Sequence, residues 1–252
     1  LSEIEALDHQ GTNVAASSQG AKASVSSTYD STFKTADVVR DNYPLVYDLG
    51  FKWNRVGFWG DMTTWGYVER NKGEYTIDPA MDQSITDSVA NGVNIIYCLC
   101  WGNMLYQTRA SADDPPLWRA LPFVTEVGPT TEEAMQGYLQ YARHVAQHFK
   151  GRIKYWEVWN EENSWAWYGC PPDPKRFGTL VRETAKMLKE IDPENVVIFG
   201  GTAALAPTFL QETLQEGAGP YLDAVAFHPY GMPIPELACG ALDVVEGKQV
   251  GK

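Results

Sequence analysis

Long apolar runs and clustered positive charge are both missing from this sequence of 252 residues. No apolar run approaches the roughly 20 residues that a membrane-spanning helix needs, so we expect no membrane partner. Lys and Arg together number 20 against 32 Asp and Glu, which gives a net charge of −12. Because nucleic acid binding depends on Lys and Arg contacts to phosphates, this balance argues against a nucleic acid partner.

Cysteine is scarce, with four residues in the whole chain. Cys98 and Cys100 alternate with apolar residues in a strand-like run, which indicates buried free thiols. Cys170 and Cys239 lie among Pro and Gly residues, and a disulfide between them would require Cα atoms within about 7 Å. We therefore expect at most one disulfide, between two loops.

Known cofactor motifs are absent as well. No G-x-G-x-x-G stretch follows the first strand candidate, so a dinucleotide site is not expected. His144 and His148 are four residues apart in a helical pattern, but no Glu lies between them as a metalloprotease motif would require. The sequence therefore predicts neither a metal nor a cofactor, and a solvated helix face for the two histidines.

Aromatic residues, in contrast, are abundant. The chain has nine Trp and thirteen Tyr, many of them next to Gly, Asn or Pro. Such side chains can fill a core, but at loop positions their flat faces also suit sugar rings or bases. Since the charge disfavours nucleic acid, a carbohydrate is the expected ligand.

Short β-rich segments alternate with helical patterns along the chain. The strand candidates are Gly11–Ala16, Lys52–Phe58, Asn94–Trp101, Ile153–Asn160, Asn195–Gly201 and Leu222–His228. The helix candidates are Asp37–Leu49, Met81–Ala90, Glu132–Phe149, Pro174–Ile191 and Thr208–Glu216. This alternation predicts parallel strands with helical crossovers. We expect an α/β chain with a single (β/α)₈ TIM-barrel domain over residues 1–252, of which six strands are present.

Polar and aromatic residues follow the carboxyl ends of the predicted strands. They are Trp59 after the second strand, Trp101 and Asn103 after the third, Asn160, Glu161 and Trp165 after the fourth, and His228 and Tyr230 after the sixth. In a barrel these strand ends meet at one face, where active sites are built. Trp165 is expected either to stack on a sugar ring or to pack within its loop.

The fourth strand candidate ends in the most informative stretch, Tyr155 to Asn163. Strand alternation predicts two opposite sets of side chains, namely Trp156, Val158 and Asn160 against Tyr155, Glu157, Trp159 and Glu161. Cleavage of a glycosidic bond needs a proton donor and a second carboxylate across the sugar. An amide and a carboxyl at a strand end suit this chemistry, although a polar pair that caps the next helix would have the same pattern.

The sequence Trp159-Asn160-Glu161 after a fourth strand resembles the clan A glycoside hydrolases. The resemblance implies that Asn160 binds the sugar 2-hydroxyl and that Glu161 is the catalytic acid/base. The family usually has Pro after this Glu, whereas this chain has Glu162.

Further residues fit the same clan. Arg55 is similar to the second-strand Arg that steadies the nucleophile, and His228-Pro229-Tyr230 is similar to the sixth-strand His and Tyr of the sugar subsite. The stretch from Lys52 to Asp82, which includes Glu69 to Tyr75, resembles family 39 members. Without the resemblance, Arg55 could be an ion-pair partner and His228 a core histidine.

Two strands of the expected barrel are unaccounted for. In clan A the nucleophile is a Glu at the end of the seventh strand, but the stretch Pro235–Glu246 reads as a crossover helix, which leaves little room for Glu246 in that role. We expect the nucleophile and the last strands on polypeptide outside this chain, either a longer form or a second polypeptide. The resemblance then implies a retaining glycosidase that cleaves β-linked sugars of an oligo- or polysaccharide, outside the cytoplasm in the periplasm or the medium. A non-catalytic carbohydrate-binding barrel fragment is the alternative.

Overall fold

Short strands and longer helices alternate in the described part of the chain. The computed structural model describes residues 47–57, 62–106, 128–164 and 172–228, with the backbone alone of 244–245 and 248–249. In chain order the strands are β1 (Trp53–Val56), β2 (Glu69–Asn71), β3 (Glu74–Tyr75), β4 (Asn94–Leu99), β5 (Tyr155–Asn160), β6 (Val196–Ala203), β7 (Ala224–His228), β8 (Val244–Val245) and β9 (Lys248–Gln249). The helices are α1 (Trp65–Val68), α2 (Pro79–Ala90), α3 (Glu132–His148), α4 (Pro174–Ile191) and α5 (Pro207–Leu214), followed by a 3₁₀ turn at Gly219–Tyr221. All of these elements belong to one compact unit, Thr35–Lys252.

Five of the strands form one parallel sheet in the order β1-β4-β5-β6-β7. Each pairs with the next in parallel, so consecutive strands of this sheet are joined by crossovers that contain α2, α3, α4 and α5. These five strands are the second to the sixth strand candidates of the sequence. Their carboxyl ends therefore lie along one edge, which positions the residues that follow them.

Helix starts agree with local chemistry. Asp78 Oδ1 accepts the backbone N–H groups of Ala80 and Met81 at 2.9 and 3.1 Å, and Pro79 occupies the first position of α2. Asp173 caps α4 in the same way, again directly before a proline. Because these carboxylates satisfy backbone donors that the helix leaves unpaired, each Asp-Pro pair sets a helix start.

Aromatic side chains fill the space between the sheet and its helices. Tyr97 of β4 is fully buried, with its ring 5.5 Å from Trp156 of β5 and 5.9 Å from Phe149 at the end of α3. Phe177 of α4 packs edge-on against Phe199 of β6 at 5.5 Å. These aromatic pairs hold the helices against one face of the sheet and leave its other face for the strand-end residues.

A β-hairpin in the loop after β1 is not among the predicted strands. Strands β2 and β3 pair antiparallel around a turn at Lys72-Gly73. β2 is three residues long and β3 two, and they contain two Glu residues and one Asn, residue types that are depleted in strands. Tertiary contacts of Glu69 with Trp65 and Tyr106 stabilise this hairpin.

Several predicted elements lie outside the described residues. They are the first predicted strand, Gly11–Ala16, and the part of the first predicted helix, Asp37–Leu49, that precedes Tyr47. Near the chain end, β8 and β9 pair antiparallel, so the crossover helix predicted to reach Glu246 does not include Val244–Val245. Over the described ranges, no helix has the length and apolarity that a membrane crossing requires.

Candidate active site

Glu161 follows the last residue of β5 and is only 7% exposed. Its backbone N–H donates to Gly201 O on β6 at 2.8 Å, and its carbonyl accepts from Ser164 N at 2.9 Å. Its side-chain Oε1 lies 2.6 Å from Nδ1 of His228, at the end of β7. The carboxyl is therefore held at the carboxyl-terminal edge of the sheet by contacts with two neighbouring strands.

A partly buried ion pair lies on the same face of the sheet. Arg55 Nε on β1 donates to Glu157 Oε2 at 2.5 Å, and Arg55 Nη2 donates to Asn160 Oδ1 at 2.9 Å. Glu157 is 2% exposed, and its Oε1 accepts from the backbone of Gly201 at 3.2 Å. Burial favours the neutral form of Arg55, but the acidic groups of Cys98 and Glu157 outweigh it, so the pKa of Arg55 is raised and the side chain is a fixed cation.

The predicted alternation of side chains is wrong at the end of β5. Trp159 has a positive φ of 69° and turns towards the helices, where its ring lies 6.0 Å from Tyr138 of α3 and 6.1 Å from Trp101. Asn160, expected on the opposite side from Glu157, instead reaches Arg55, the partner of Glu157. The left-handed backbone conformation of Trp159 interrupts the alternation of side chains at the end of β5. Both Asn160 and Glu161 therefore reach the site.

Glu162, which stands where clan A members usually have Pro, is 1% exposed. Among the described residues, no other residue provides a hydrogen-bond partner for its two carboxyl oxygens. Burial, together with the negative charges of Glu157 and Glu161, raises the pKa of Glu162 well above its usual value. A neutral carboxylic acid therefore lies next to Glu161 inside the fold.

Gly201 is a site residue that the sequence analysis did not identify. A Cβ atom on Gly201 would lie 2.3 Å from Nε2 of His228, so only glycine lets the imidazole approach β6. Glu157 was also missed as a site residue, although alternation placed it on the same side as Glu161. A carboxylate in the middle of a buried strand requires a partner, and that requirement was the available signal.

Two other predicted site residues lie close to the sheet edge. Trp101 follows β4, is 5% exposed and packs edge-on against Trp159. Asn103 is buried, and both ends of its amide bond to backbone, with Nδ2 donating to Glu69 O and Oδ1 accepting from Leu105 N. Asn103 thus holds the loop after β4, and its predicted contact with sugar stays a prediction.

Trp59, Trp165 and Tyr230 lie outside the described residues, as do Cys170 and Cys239 with their predicted disulfide. The prediction for the other two cysteines is confirmed, because Cys98 and Cys100 are free and buried. Burial and a hydrogen bond with Cys100 raise the pKa of Cys98, so this thiol is protonated at neutral pH. Within the described ranges, no group of three or more His, Cys, Asp or Glu side chains is arranged to hold a metal.

Comparisons with known proteins agree with the fold. No protein-family model matches the chain, and no curated protein does. Among solved structures, a family 39 glycoside hydrolase from Bacteroides cellulosilyticus matches 77% of this chain with 24% identity and a TM-score of 0.59. A monomeric β-xylosidase from Caulobacter crescentus matches 78% with 21% identity and a TM-score of 0.57. A GH39 enzyme from Xanthomonas axonopodis pv. citri matches 77% with 21% identity and a TM-score of 0.54.

These matches cover only 36%, 40% and 38% of the respective structures, so the chain spans well under half of their length. At such identities the likeness establishes the fold. The chain has an incomplete (β/α)₈ fold, which confirms the predicted class. The predicted resemblance to clan A glycoside hydrolases, with family 39 among the matches, is confirmed at the same level.

Proposed function

We propose that this chain is part of a retaining glycoside hydrolase that cleaves β-linked sugars of an oligo- or polysaccharide, with Glu161 as the acid/base. The observation that carries the proposal is the position of Glu161. It is a nearly buried carboxyl at the carboxyl-terminal edge of a parallel sheet, 2.6 Å from His228 and directly after Asn160. Active sites of (β/α)₈ barrels lie at this edge, and the fold neighbours include family 39 glycoside hydrolases.

The surrounding groups suit the chemistry of an acid/base. Glu161 would give its proton to the glycosidic oxygen as the bond to the leaving sugar breaks, and would later take a proton from the attacking water. His228 hydrogen-bonds only one of the two carboxyl oxygens, Oε1, so Oε2 is the atom for the leaving group. The sugar is held before and after this step by neighbouring side chains.

Asn160 is oriented for a sugar hydroxyl by Arg55. Its Oδ1 accepts from the guanidinium, which leaves the Nδ2 group of the amide as a donor to the 2-hydroxyl. Arg55 is itself held by Glu157. A hydrogen bond to the 2-hydroxyl strengthens as positive charge develops on the sugar ring, so this chain of contacts supports catalysis as well as binding.

The second carboxylate is proposed to come from polypeptide beyond the described residues. In clan A it is a Glu at the end of the seventh barrel strand. The described sheet has five strands, β1, β4, β5, β6 and β7. Periplasmic or extracellular location is part of the same proposal, since polymeric substrates are met there.

The proposal is tested by Glu161→Gln in the complete protein. We expect a loss of 10²–10⁴-fold in kcat on an unactivated oligosaccharide, the usual contribution of general acid catalysis, with sugar binding nearly unchanged. On an aryl glycoside with a good leaving group the first step needs little protonation, so its loss should be smaller. Initial rates on both substrates and calorimetric binding of the oligosaccharide provide the measurements.

Glu162→Gln is the matched control, because it makes the same change one residue away. We expect this variant to keep most of the activity. Retention of more than a tenth of wild-type activity on the oligosaccharide by Glu161→Gln would rule out the acid/base role. If the wild-type protein binds the sugar and neither variant differs from it because no turnover occurs, the chain is a non-catalytic carbohydrate-binding barrel.

A further inference from the structure

A second concave surface lies on the β2–β3 hairpin. A cavity of about 360 Å³ opens between the hairpin and the start of α2, and among the described residues that line it none belongs to the Glu161 site. The side chains that matter here are Tyr67, Arg70, Asn71, Glu74 and Thr76. The volume falls in the range of small-molecule sites, about 300–1,000 Å³.

The hairpin that carries this cavity is held by a buried carboxylate. Glu69 is fully buried and accepts from Trp65 Nε1 at 2.6 Å, from Gly73 N at 2.8 Å and from Tyr106 OH at 2.6 Å. Thr76 N also donates to Val68 O at 2.8 Å, which closes the base of the hairpin. The cavity is therefore formed before any ligand arrives, which lowers the cost of binding.

Topology places the cavity on the substrate side of the barrel. The hairpin follows β1 along the chain. Asn103 and Tyr106, which follow the carboxyl-terminal end of β4, both bond to Glu69. Lys72 then reaches Glu133 at the start of α3, with Nζ and Oε1 2.6 Å apart. The hairpin thus lies at the rim of the face that carries Glu161.

The lining combines an exposed aromatic ring with hydrogen-bonding groups of both kinds. Tyr67 is 44% exposed, and the guanidinium of Arg70 lies 5.6 Å from its ring centroid, which orients the ring. Asn71 Nδ2 donates to Glu74 Oε2 at 3.0 Å, a bond that uses neither Oε1 of Glu74 nor Oδ1 of Asn71. An aromatic face with carboxylate, amide and guanidinium groups around it suits a ring that carries several hydroxyls.

Charge decides between neutral and acidic ligands. In the part of the lining that the structure describes, Arg70 is the one cation, against the carboxylates of Glu74 and Asp78. Asp78 also caps α2. A phosphate or uronate would therefore meet a net negative surface, in a protein whose overall charge is −12. Neutral sugars avoid this repulsion.

We propose that this cavity is a second carbohydrate-binding site, which takes a neutral sugar of the same polysaccharide at the rim of the barrel. The choice of the same polysaccharide rests on the proposed function. Such a site raises the local concentration of a long chain near Glu161 and adds avidity without taking part in the bond cleavage.

The test uses the complete protein with the substitutions Tyr67→Ala and Glu74→Gln, and Tyr67→Phe as a control that keeps the ring. The probes are insoluble xylan, cellulose and mannan, with polygalacturonate as the acidic probe. We expect Tyr67→Ala to weaken adsorption to at least one neutral polymer five-fold or more and to lower its hydrolysis. Tyr67→Phe should bind like wild type, and activity on a small aryl glycoside should be unchanged in all three variants.

Each outcome separates this proposal from the function of Glu161. Unchanged adsorption in both Tyr67→Ala and Glu74→Gln overturns the second site, even if Glu161→Gln is inactive. Adsorption that weakens while Glu161→Gln keeps full activity supports the site and rejects the acid/base role. Preferential adsorption to polygalacturonate overturns the choice of a neutral sugar. A parallel loss of activity on the aryl glycoside would show that the substitutions act through the fold and would also reject the site.

Discussion

Backbone conformation at single residues shapes this site. Trp159 and Glu161 have positive φ values of 69° and 52°, a region that costs a residue with a side chain roughly 1–2 kcal/mol. Burial of the Trp159 ring against Tyr138 and the backbone bond from Glu161 to Gly201 offset this cost. These two left-handed residues bring Asn160 and Glu161 to the same edge of the sheet. The backbone strain is therefore linked to the position of the proposed acid/base.

Glu162 makes the stability of the protein depend on pH. Its pKa is raised above the usual 4.5 by burial and by Glu157 and Glu161, so the folded state keeps a proton that the unfolded chain loses. The free energy of unfolding should therefore fall as pH rises above about 4.5, so that its slope against pH is negative there. Below that pH both states are protonated and the effect is absent.

Urea unfolding of Glu162→Gln between pH 5 and pH 8 measures this slope. The variant should lose that part of the pH dependence, because its amide does not titrate. Glu212→Gln, on the exposed side of α5, controls for the removal of one negative charge and should keep the wild-type slope. Equal slopes in wild type and Glu162→Gln would contradict a protonated Glu162 in the folded state.

At the scale of elements, the helices between the sheet strands were predictable, although α2 begins two residues before the predicted Met81. An Asp-Pro pair begins α2 and another begins α4, and both helices appear where periodicity predicted them. The hairpin β2–β3, in contrast, depends on a carboxylate whose three donors come from Trp65, Gly73 and Tyr106. Tyr106 lies 37 residues along the chain from Glu69, beyond the reach of a local pattern.

Removal of the α2 cap tests this local origin. Asp78→Ala should lower the free energy of unfolding by about 0.5–2 kcal/mol, because the N–H groups of Ala80 and Met81 lose their acceptor. Asp78→Asn keeps a capping oxygen and should cost much less. Chemical unfolding of the two variants next to wild type gives the comparison, and equal losses would mean that the charge of Asp78, rather than its cap, matters.

For the whole molecule, the described sheet has two edges where a closed barrel would have none. Trp53 on β1 is 49% exposed, and Val225 and Phe227 on β7 are 44% and 37% exposed. Each of these apolar side chains belongs to an edge strand of the five-stranded sheet. The chain matches well under half the length of the solved structures, which agrees with a barrel that is completed by further strands.

Stereochemistry is the prediction that belongs to the complete barrel. We expect hydrolysis with retention of the anomeric configuration, since the clan pattern pairs Glu161 with a carboxylate that attacks the sugar itself. Retaining enzymes hold the two carboxyl groups about 5–5.5 Å apart, and inverting enzymes leave roughly 6.5–9.5 Å for a water molecule. Proton NMR of the first-formed product, recorded before mutarotation, identifies the anomer. An inverted product would reject the assignment to a retaining mechanism.

Sequence alone determined the five strands of the sheet, the helices between them and the position of Glu161 after a strand, because hydrophobic periodicity and helix caps act over a few residues. It also brought Arg55, Asn160 and His228 to one edge through the rule that parallel strands align their carboxyl ends. Only the tertiary structure decided the pairing of Arg55 with Glu157, which are 102 residues apart, and the reversal of faces at Trp159. Both depend on long-range packing that outweighs local backbone preference, and no pattern in the chain encodes that balance.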